Sequence, residues 1–414
     1  MSSLQPVRGT HDLLPGQFRR HRHVTDVAAE VAGRYGYSEM APPVFEFTEV
    51  FARTLGETSD VVTKEMYTFS DRGGDSITLR PEFTAGIARA FMSNGLQHEA
   101  PLKYFCQGPL FRYERPQKGR MRQFHQIDIE VIGVPSPQAD IEVIAVGAHI
   151  LDALGVSGDV VINLNTLGDT ESRHGYRDKL VEYLSRYRSD LSEDSQDRLE
   201  RNPLRIFDSK DETDQKIVAD APVLADHLND ESRRFFGEVL EGLELIGIKS
   251  EINPRLVRGL DYYCHTAFEF ITETLGSQGT VIGGGRYDGL MEFMGGKPTP
   301  AVGWAAGIER LAMMVGEQEA TTKPIVVVPV GGENEGPARQ LAERLRRAGL
   351  AVDMGFSGNV KKRLNRANKT GAPAAILLGE DEIAKDVATV RDMVTGEQSE
   401  VPLTSLEEHL ARYL

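Results

Sequence analysis

Between Phe111 and Arg122 the chain sets Arg112, Arg115, Lys118, Arg120 and Arg122 against one acid, Glu114, in a stretch broken by Pro116 and Gly119. A cationic loop entered and left by strand has the charge and the donors to hold phosphates. The residues that follow alternate. Ile127, Ile129 and Val131 leave one face of a strand, and Phe124, Gln126, Asp128 and Glu130 leave the other, since successive side chains switch faces. That polar face continues directly from the cationic loop, so it reads as a pocket wall rather than a solvated surface. Cations for a polyphosphate stand at one end; carboxylates and an amide for a small cationic substrate stand at the other.

Three further stretches carry groups capable of chemistry. Arg258 and Asp261 flank Gly259 and Leu260 just before Tyr262 and Tyr263; taken alone, a structural Arg–Asp pair under tyrosine packing explains them. Arg80-Pro81-Glu82-Phe83-Thr84 fits a strand end followed by a helix-capping Thr. Gly303–Arg310 reads as a helix with Trp304, Ile308 and Leu311 on one face and Arg310 at the surface. Two glycine-rich runs follow strands. Gly331-Gly332-Glu333-Asn334-Glu335-Gly336 lacks the Gly-Lys-Ser/Thr ending of a phosphate loop and puts carboxylates where a phosphate would sit, so it is a strand-to-helix turn. Gly283-Gly284-Gly285 lets backbone approach a ligand or a neighbouring strand closely. The densest histidine group, His21-Arg22-His23, has no carboxylate or cysteine at ligand spacing, and no protein-held metal is expected.

The elements that must position these groups follow from periodicity and punctuation. Helices are predicted over 17–35 and 139–154. Strands are predicted over 77–80, 102–107, 110–114, 123–131 and 160–165. Residues 168–249 turn polar with helical apolar spacing and read as a helical insertion. Strands return over 266–271 and 279–282, and a helix over 303–315 closes a large α+β domain spanning 1–320. Thr321-Thr322-Lys323-Pro324 is a linker. Beyond it, strands at 325–330, 350–354 and 374–378 alternate with helices at 337–348 and 359–369, a small α/β domain over 321–414. From Met354 to Gly379 there is no Asp or Glu, while Lys361, Lys362, Arg363, Arg366 and Lys369 crowd together; a solvated helix face and a nucleic-acid surface both fit.

The 414 residues give length for more than one core. No apolar run is long enough to span a membrane, and the N-terminal segment lacks a secretory apolar core. Two cysteines exclude a disulfide framework and fit a reduced cytoplasmic setting. A net charge of −15 argues against a chain that coats nucleic acid indiscriminately, yet leaves room for a local cationic patch.

Together these stretches, in this order, resemble the signature set of the histidyl-tRNA synthetases, a family of class II aminoacyl-tRNA synthetases, in their bacterial form. The likeness begins at Arg8-Gly9-Thr10-His11-Asp12 and runs nearly the whole chain. Pro42-Pro43-Val44-Phe45-Glu46 resembles class II motif 1, which in the family supports a homodimer interface. Phe111–Glu130 resembles motif 2, Gly303–Arg310 motif 3, and Arg258–Tyr263 the histidine-specific stretch. The resemblance implies an antiparallel sheet with flanking helices, a helical insertion, and a C-terminal α/β anticodon-binding domain.

It also implies a reaction and its residues. Histidine and ATP, with Mg²⁺ on the outer phosphates, give histidyl-adenylate, and the acyl group passes to the 3′ end of the histidine tRNA. Arg112 and Arg258 flank the α-phosphate as catalytic groups. Glu114, Arg120, Phe124 and Arg310 join Arg112 around the nucleotide. Glu82, Thr84 and Gln126 take the α-amino end of histidine, and Glu130, Tyr262 and Tyr263 its imidazole. Gln117, Lys118 and Arg122 of the motif 2 loop, with Lys361, Lys362 and Arg363, face tRNA. Phe83 stands where the family often has glycine, so a different local turn or pocket wall is expected. The competing reading is a non-catalytic histidine-sensing regulatory subunit of histidine biosynthesis. Such chains lack the C-terminal domain and have eroded motifs, whereas this one keeps both. An acyl-adenylating enzyme without RNA would not need the cationic tail.

Overall fold

The structure, a computed structural model, describes residues 4–54, 64–117, 119–258, 262–276, 279–318 and 323–413. It divides into two compact units, Met1–Gln318 and Glu319–Leu414. Thr321 and Thr322 of the expected linker lie outside the described residues.

In the first unit the described strands run in chain order as β1 (Ser38–Glu39), β2 (Phe45–Phe47), β3 (Tyr67–Ser70), β4 (Ser76–Leu79), β5 (Leu102–Phe111), β6 (Gln123–Ile132), β7 (Val160–Thr166), β8 (Glu251–Ile252), β9 (Cys264–Thr272), β10 (Thr280–Arg286) and β11 (Ala301–Gly307). One sheet has the order β1-β5-β6-β11-β10-β9-β7-β8, and β2-β4-β3 form a small second one. The large sheet is antiparallel from β5 across to β7, with short parallel pairs at its edges. Period-two alternation decides which face each side chain takes. Ile127, Ile129 and Val131 of β6, Val302, Trp304 and Ala306 of β11, and Phe268 and Phe270 of β9 turn to one side. There they meet Val24, Ala28 and Val31 of the helix Pro15–Arg34 and Val143, Ile144 and Ile150 of the helix Pro137–Ala153. Each such Val, Ile or Phe side chain, once buried, contributes about 1.5–3 kcal/mol. The other face carries a second cluster, built on Phe51, Phe83, Ile87 and Phe91, and an open cavity beside it.

Several elements differ from their sequence reading. Residues 301–307 are strand, and the helix is confined to Ile308–Met314. The spacing 304, 308, 311 suggested one helical face, but 302, 304 and 306 alternate equally well, and the pairing of β11 with β6 and β10 decides for strand. The expected strands at 102–107 and 110–114 are one strand that passes through Gly108 and Pro109. Pro109 is tolerated because β1 pairs β5 only at Tyr104 and Phe105, so Pro109 needs no N–H on that side. The glycine run lies inside β10, not after it.

Within the insertion, the helices Thr170–Ser185, Glu193–Arg201 and Glu212–Ala219 enclose Tyr176, Leu180, Leu184, Leu199, Ile206 and Ile217. Buried Asp214 ties their ends together by accepting from the hydroxyls of Ser192, Ser195 and Ser209, each at 2.6 Å. The helix Asp230–Leu245, which read as part of the insertion, sends Val239 and Leu243 into the core of the large sheet instead.

The second unit contains β12 (Ile325–Pro329), β13 (Val352–Asp353), β14 (Ala374–Leu378), β15 (Val387–Asp392) and β16 (Gln398–Pro402), in the sheet order β13-β12-β14-β15-β16. The helix Glu335–Arg347 covers one face through Ala338, Leu341 and Leu345, and the helix Val360–Thr370 the other through Ala367. The antiparallel pair β15 and β16 is not legible as strands in the sequence: β15 lies inside the sheet but turns only the small Ala388 and Val390 to the core, and β16 is an exposed edge strand with Val401 as its one buried residue.

Candidate active site

The cavity on the open face of the large sheet has a volume of about 480 Å³. Residues from four of the sequence stretches line it: Glu82 and Thr84; Arg112, Glu114, Arg120, Phe124 and Gln126; Arg258, Tyr262 and Tyr263; and Arg310. Gly259, Leu260 and Asp261, between two of these, lie outside the described residues.

At the cationic end, Arg112 donates from Nε to the Pro81 carbonyl at 2.9 Å and lies over the Phe124 ring, with 5.2 Å from Cζ to the centroid. Arg310 donates to the Thr280 carbonyl at 2.5 Å. Burial, followed by the nearby charge of Arg120, lowers the Arg310 pKa, with Arg112 adding in the same direction. Several guanidiniums that repel one another around an open space favour an anion there. Arg120 is paired with Glu114 through two N–H groups, one of them at 2.8 Å. Although burial opposes it, that pairing and neighbouring Arg112 hold the Glu114 carboxyl below its ordinary range. Arg258 donates to Glu269 of β9 at 2.5 Å and lies over the Tyr263 ring at 5.4 Å. Its Nε is buried and has no partner.

The glycine run now has its reason. A Cβ on Gly283 would lie 2.8 Å and 2.9 Å from the terminal nitrogens of Arg258, so only glycine leaves the guanidinium its place. Gly303, on the next strand, likewise makes room for the Glu130 carboxylate.

At the acidic end Glu82, Asp128 and Glu130 are all buried. Glu82 accepts from the Ala85 N–H at 2.8 Å at the start of the helix Thr84–Ser93. Asp128 lines the cavity with Oδ1 buried and unpartnered, as is Oε1 of Gln126. Burial raises the Asp128 pKa, and the charges of Glu130 and Glu82 add to the rise. Glu130 stands one layer behind the wall, accepting from the Thr84 hydroxyl at 2.6 Å and from the Tyr287 hydroxyl. Burial pushes its pKa up to about 8, against the pull of those two hydrogen bonds. The rings of Tyr262 and Tyr263 have centroids 4.7 Å apart, and Tyr287 lies 5.5 Å from Tyr262. This end therefore offers unpaired acceptors, a cluster of buried carboxyl groups and an aromatic wall, which suits a small organic cation carrying N–H donors.

Phe83 takes ordinary right-handed helical backbone (φ −96°), and its ring is buried under the Arg80 guanidinium at 4.3 Å. It does not line the cavity, so the substitution for glycine alters the core and not the pocket wall.

The residues assigned to tRNA belong to both units. Gln117 is exposed and forms a tight turn with Arg120, while Lys118 lies outside the described residues. Arg122 is turned onto the Tyr113 ring at 3.7 Å and donates to the Glu114 carbonyl at 3.1 Å; Gly9 (φ +88°) packs against its side chain. In the second unit Lys361 and Lys362 are exposed, but Arg363 is 4% exposed. Its guanidinium is used on the Gly355 and Gly358 carbonyls and on Glu335, which removes it from the cationic surface. One-turn spacing alone could not separate the inward residue from its neighbours.

Sequence reasoning also missed cavity residues. Asp128 is among the polar-face carboxylates that the sequence offers to a small cationic substrate, but it receives no individual assignment there. Tyr287 follows the glycine run, Glu269 alternates with core Phe268 and Phe270, and Arg205 and Lys210 reach the cavity from the insertion. The alternation of β9 could have flagged Glu269; nothing local marks the insertion residues. His21, His125 and Glu309 bring three possible ligand atoms within 4.8 Å of one another, a grouping not visible in the sequence. Glu309 already accepts from the ring and the backbone N–H of His125, at 2.8 Å and 3.0 Å, which fixes the start of the helix carrying Arg310.

Residues 9–311 match the family model described as histidyl-tRNA synthetase, and residues 324–413 match that of the anticodon binding domain. A histidine–tRNA ligase of Rhodospirillum rubrum is 60% identical over 415 residues, covering 100% of both chains. One from Gluconacetobacter diazotrophicus is 54% identical over 411 residues, covering 99% of each. The crystal structure of apo histidyl-tRNA synthetase from S. aureus superposes with a TM-score of 0.83 at 33% identity, covering 98% of this chain and 99% of that one. The α+β fold with its C-terminal anticodon-binding domain is the one shared with these relatives, and the chain belongs to the histidyl-tRNA synthetase family.

Proposed function

We propose that this chain is a histidine–tRNA ligase that forms histidyl-adenylate from histidine and ATP and transfers the acyl group to the 3′ end of the histidine tRNA. One observation carries the reading: Arg112 and Arg258, 146 residues apart in sequence, border the same cavity as the buried acids and tyrosines. The histidine carboxylate attacks the α-phosphorus of ATP between Arg112 and Arg258, which hold the developing charge in place, and pyrophosphate leaves. Such phosphoryl chemistry depends on positioning and electrostatics. Mg²⁺ enters on the outer phosphates as part of the ATP substrate. Phe124 and Arg310 pack against the nucleotide, with Glu114 and Arg120 beside it as a pair.

The α-ammonium of histidine is taken by Glu82, Thr84 and Gln126, with the unpartnered Oδ1 of Asp128 as a further acceptor. Tyr262 and Tyr263 border its imidazole, and Glu130 acts from behind through Thr84 and Tyr287. A buried acceptor left unsatisfied by other amino acids discriminates by about 10⁴–10⁵-fold. The regulatory-subunit reading is disfavoured by the intact arginines and the anticodon-binding module. Homodimerisation is supported by Phe45, Phe47 and Phe69, which all stand exposed on the small β2-β4-β3 sheet, where motif 1 lies. Among the described residues no helix is long and apolar enough to cross a membrane, and the proposed setting is the cytoplasm.

The test is histidine-dependent ATP–pyrophosphate exchange with Glu130→Ala. A large loss of histidine activation is expected, and near-normal exchange ends the role given to Glu130 behind Thr84 and Tyr287.

A further inference from the structure

In the second unit a large apolar side chain is displayed where nothing in the unit covers it. Phe356 is 95% exposed, in the loop between β13 and the helix Val360–Thr370. The loop around it is not slack. The buried Arg363 guanidinium donates to the Gly355 carbonyl at 2.6 Å and to the Gly358 carbonyl at 2.8 Å, and it pairs with Glu335. These bonds fasten the loop on both sides of Phe356. Gly358 adopts φ +113°, a conformation that suits glycine, and closes the turn. Burying a cation costs free energy that its partners must offset, so the loop shape is specified by the sequence.

The surroundings of the ring are cationic. Asn359 caps the helix by accepting from the Lys362 N–H at 3.0 Å, and exposed Lys361 and Lys362 follow within one turn. No acid occurs between Met354 and Gly379. An outward aromatic side chain on a fastened loop, followed by exposed lysines, matches the way single-stranded nucleic acid is held. A protein partner would call for a wider apolar patch.

We propose that Phe356 is a stacking platform for one unpaired base of the tRNA anticodon loop, and that Arg363 is the positioning residue that holds it outward. The proposal rests on the ligase reading and adds to it a residue-level contact. Stacking is sequence-tolerant, so Phe356 supplies affinity and register, while base identity is read by other groups.

The experiment compares full-length Phe356→Ala, Phe356→Trp and the parent enzyme in aminoacylation at varied tRNA, and in ATP–pyrophosphate exchange without tRNA. Phe356→Ala is expected to raise the tRNA KM by roughly 5- to 150-fold, the equivalent of stacking one base, with exchange unchanged. Phe356→Trp is expected to stay near the parent. A tRNA made abasic at the contacted anticodon-loop position should be insensitive to Phe356→Ala. An unchanged tRNA KM in Phe356→Ala overturns the proposal, as does an equal loss in the Ala and Trp variants. A change in oligomeric state with tRNA KM unaltered also overturns it and assigns the ring to a protein contact. Failure of the parent enzyme to charge tRNA or to exchange pyrophosphate sinks the ligase reading instead.

Discussion

Glu130 shows what one residue concedes to the site. Its carboxyl, in the ordinary range when the chain is unfolded, titrates at about 8 in the folded protein, chiefly through burial. The folded state therefore keeps a proton that the unfolded state has released. The stability linked to this group is fully present below the unfolded pKa and is lost as pH rises toward 8. Glu130→Gln removes that titration and keeps the shape. Without ligands, its Tm advantage over the parent should widen from pH 6 to about 8 and then level off. A difference that stays constant over that range would mean the acid is already ionised in the fold. Arg258 offers a complementary measurement. A unit charge pair at about 4 Å is worth roughly 4 kcal/mol at an effective dielectric near 20, or about 10³-fold in rate. Arg258→Ala should lower pyrophosphate exchange by about that factor. Arg258→Lys should fall between, because it keeps the charge but loses the planar fork. Equal exchange in all three proteins would remove Arg258 from the chemistry.

At the scale of elements, the adjacent strands β10 and β11 each use a glycine to seat one functional side chain, and the consequences of filling them differ. The Cβ of Gly283→Ala meets only the far end of Arg258, which can swing aside. Folding should survive, with Tm within a few degrees, while kcat for adenylation falls toward that of Arg258→Ala. At Gly303 the new methyl meets the Ile129 backbone carbonyl as well as Glu130, and neither can yield cheaply. Gly303→Ala should therefore lose stability along with activity, measured by thermal unfolding beside exchange. If Gly283→Ala kept full exchange, the glycine would be serving strand packing alone. The sequence shows these strands unevenly. β6 was legible because Gln126, Ile127, Asp128, Ile129, Glu130 and Val131 alternate polar and apolar. β11 was not, since Gly-Trp-Ala-Ala-Gly carries one large side chain and fits either period, and only its neighbours choose between them. Long-range pairings such as Glu130 with Tyr287, or Arg205 and Lys210 with the cavity, have no local signature at all. The motif residues announced a shared site; the side chains supporting them became visible only once the sheet had brought them together.

Across the whole molecule the charge is distributed against its own sum. The chain carries −15 overall, yet its binding partners on the proposed reading are polyanions. Screening reconciles the two. At physiological ionic strength the Debye length is about 8 Å, so exposed acids farther away than that are hardly felt at a cationic patch. What a phosphate backbone meets is local, such as exposed Lys361 and Lys362 in a segment without acids. The two half-reactions should then respond differently to salt. Raising monovalent salt from about 50 to 200 mM should leave histidine-dependent pyrophosphate exchange nearly level. Over the same range tRNA affinity should fall steeply, because each neutralised phosphate contributes a log–log slope of about −0.7 to −0.9 through counterion release. A Lys361→Ala, Lys362→Ala double variant should bind tRNA more weakly and with a slope shallower by about 1.4–1.8, while its exchange rate matches the parent. An unchanged slope would place tRNA on another surface, and a parallel decline of exchange would mean that salt acts on the catalytic cavity rather than on RNA docking.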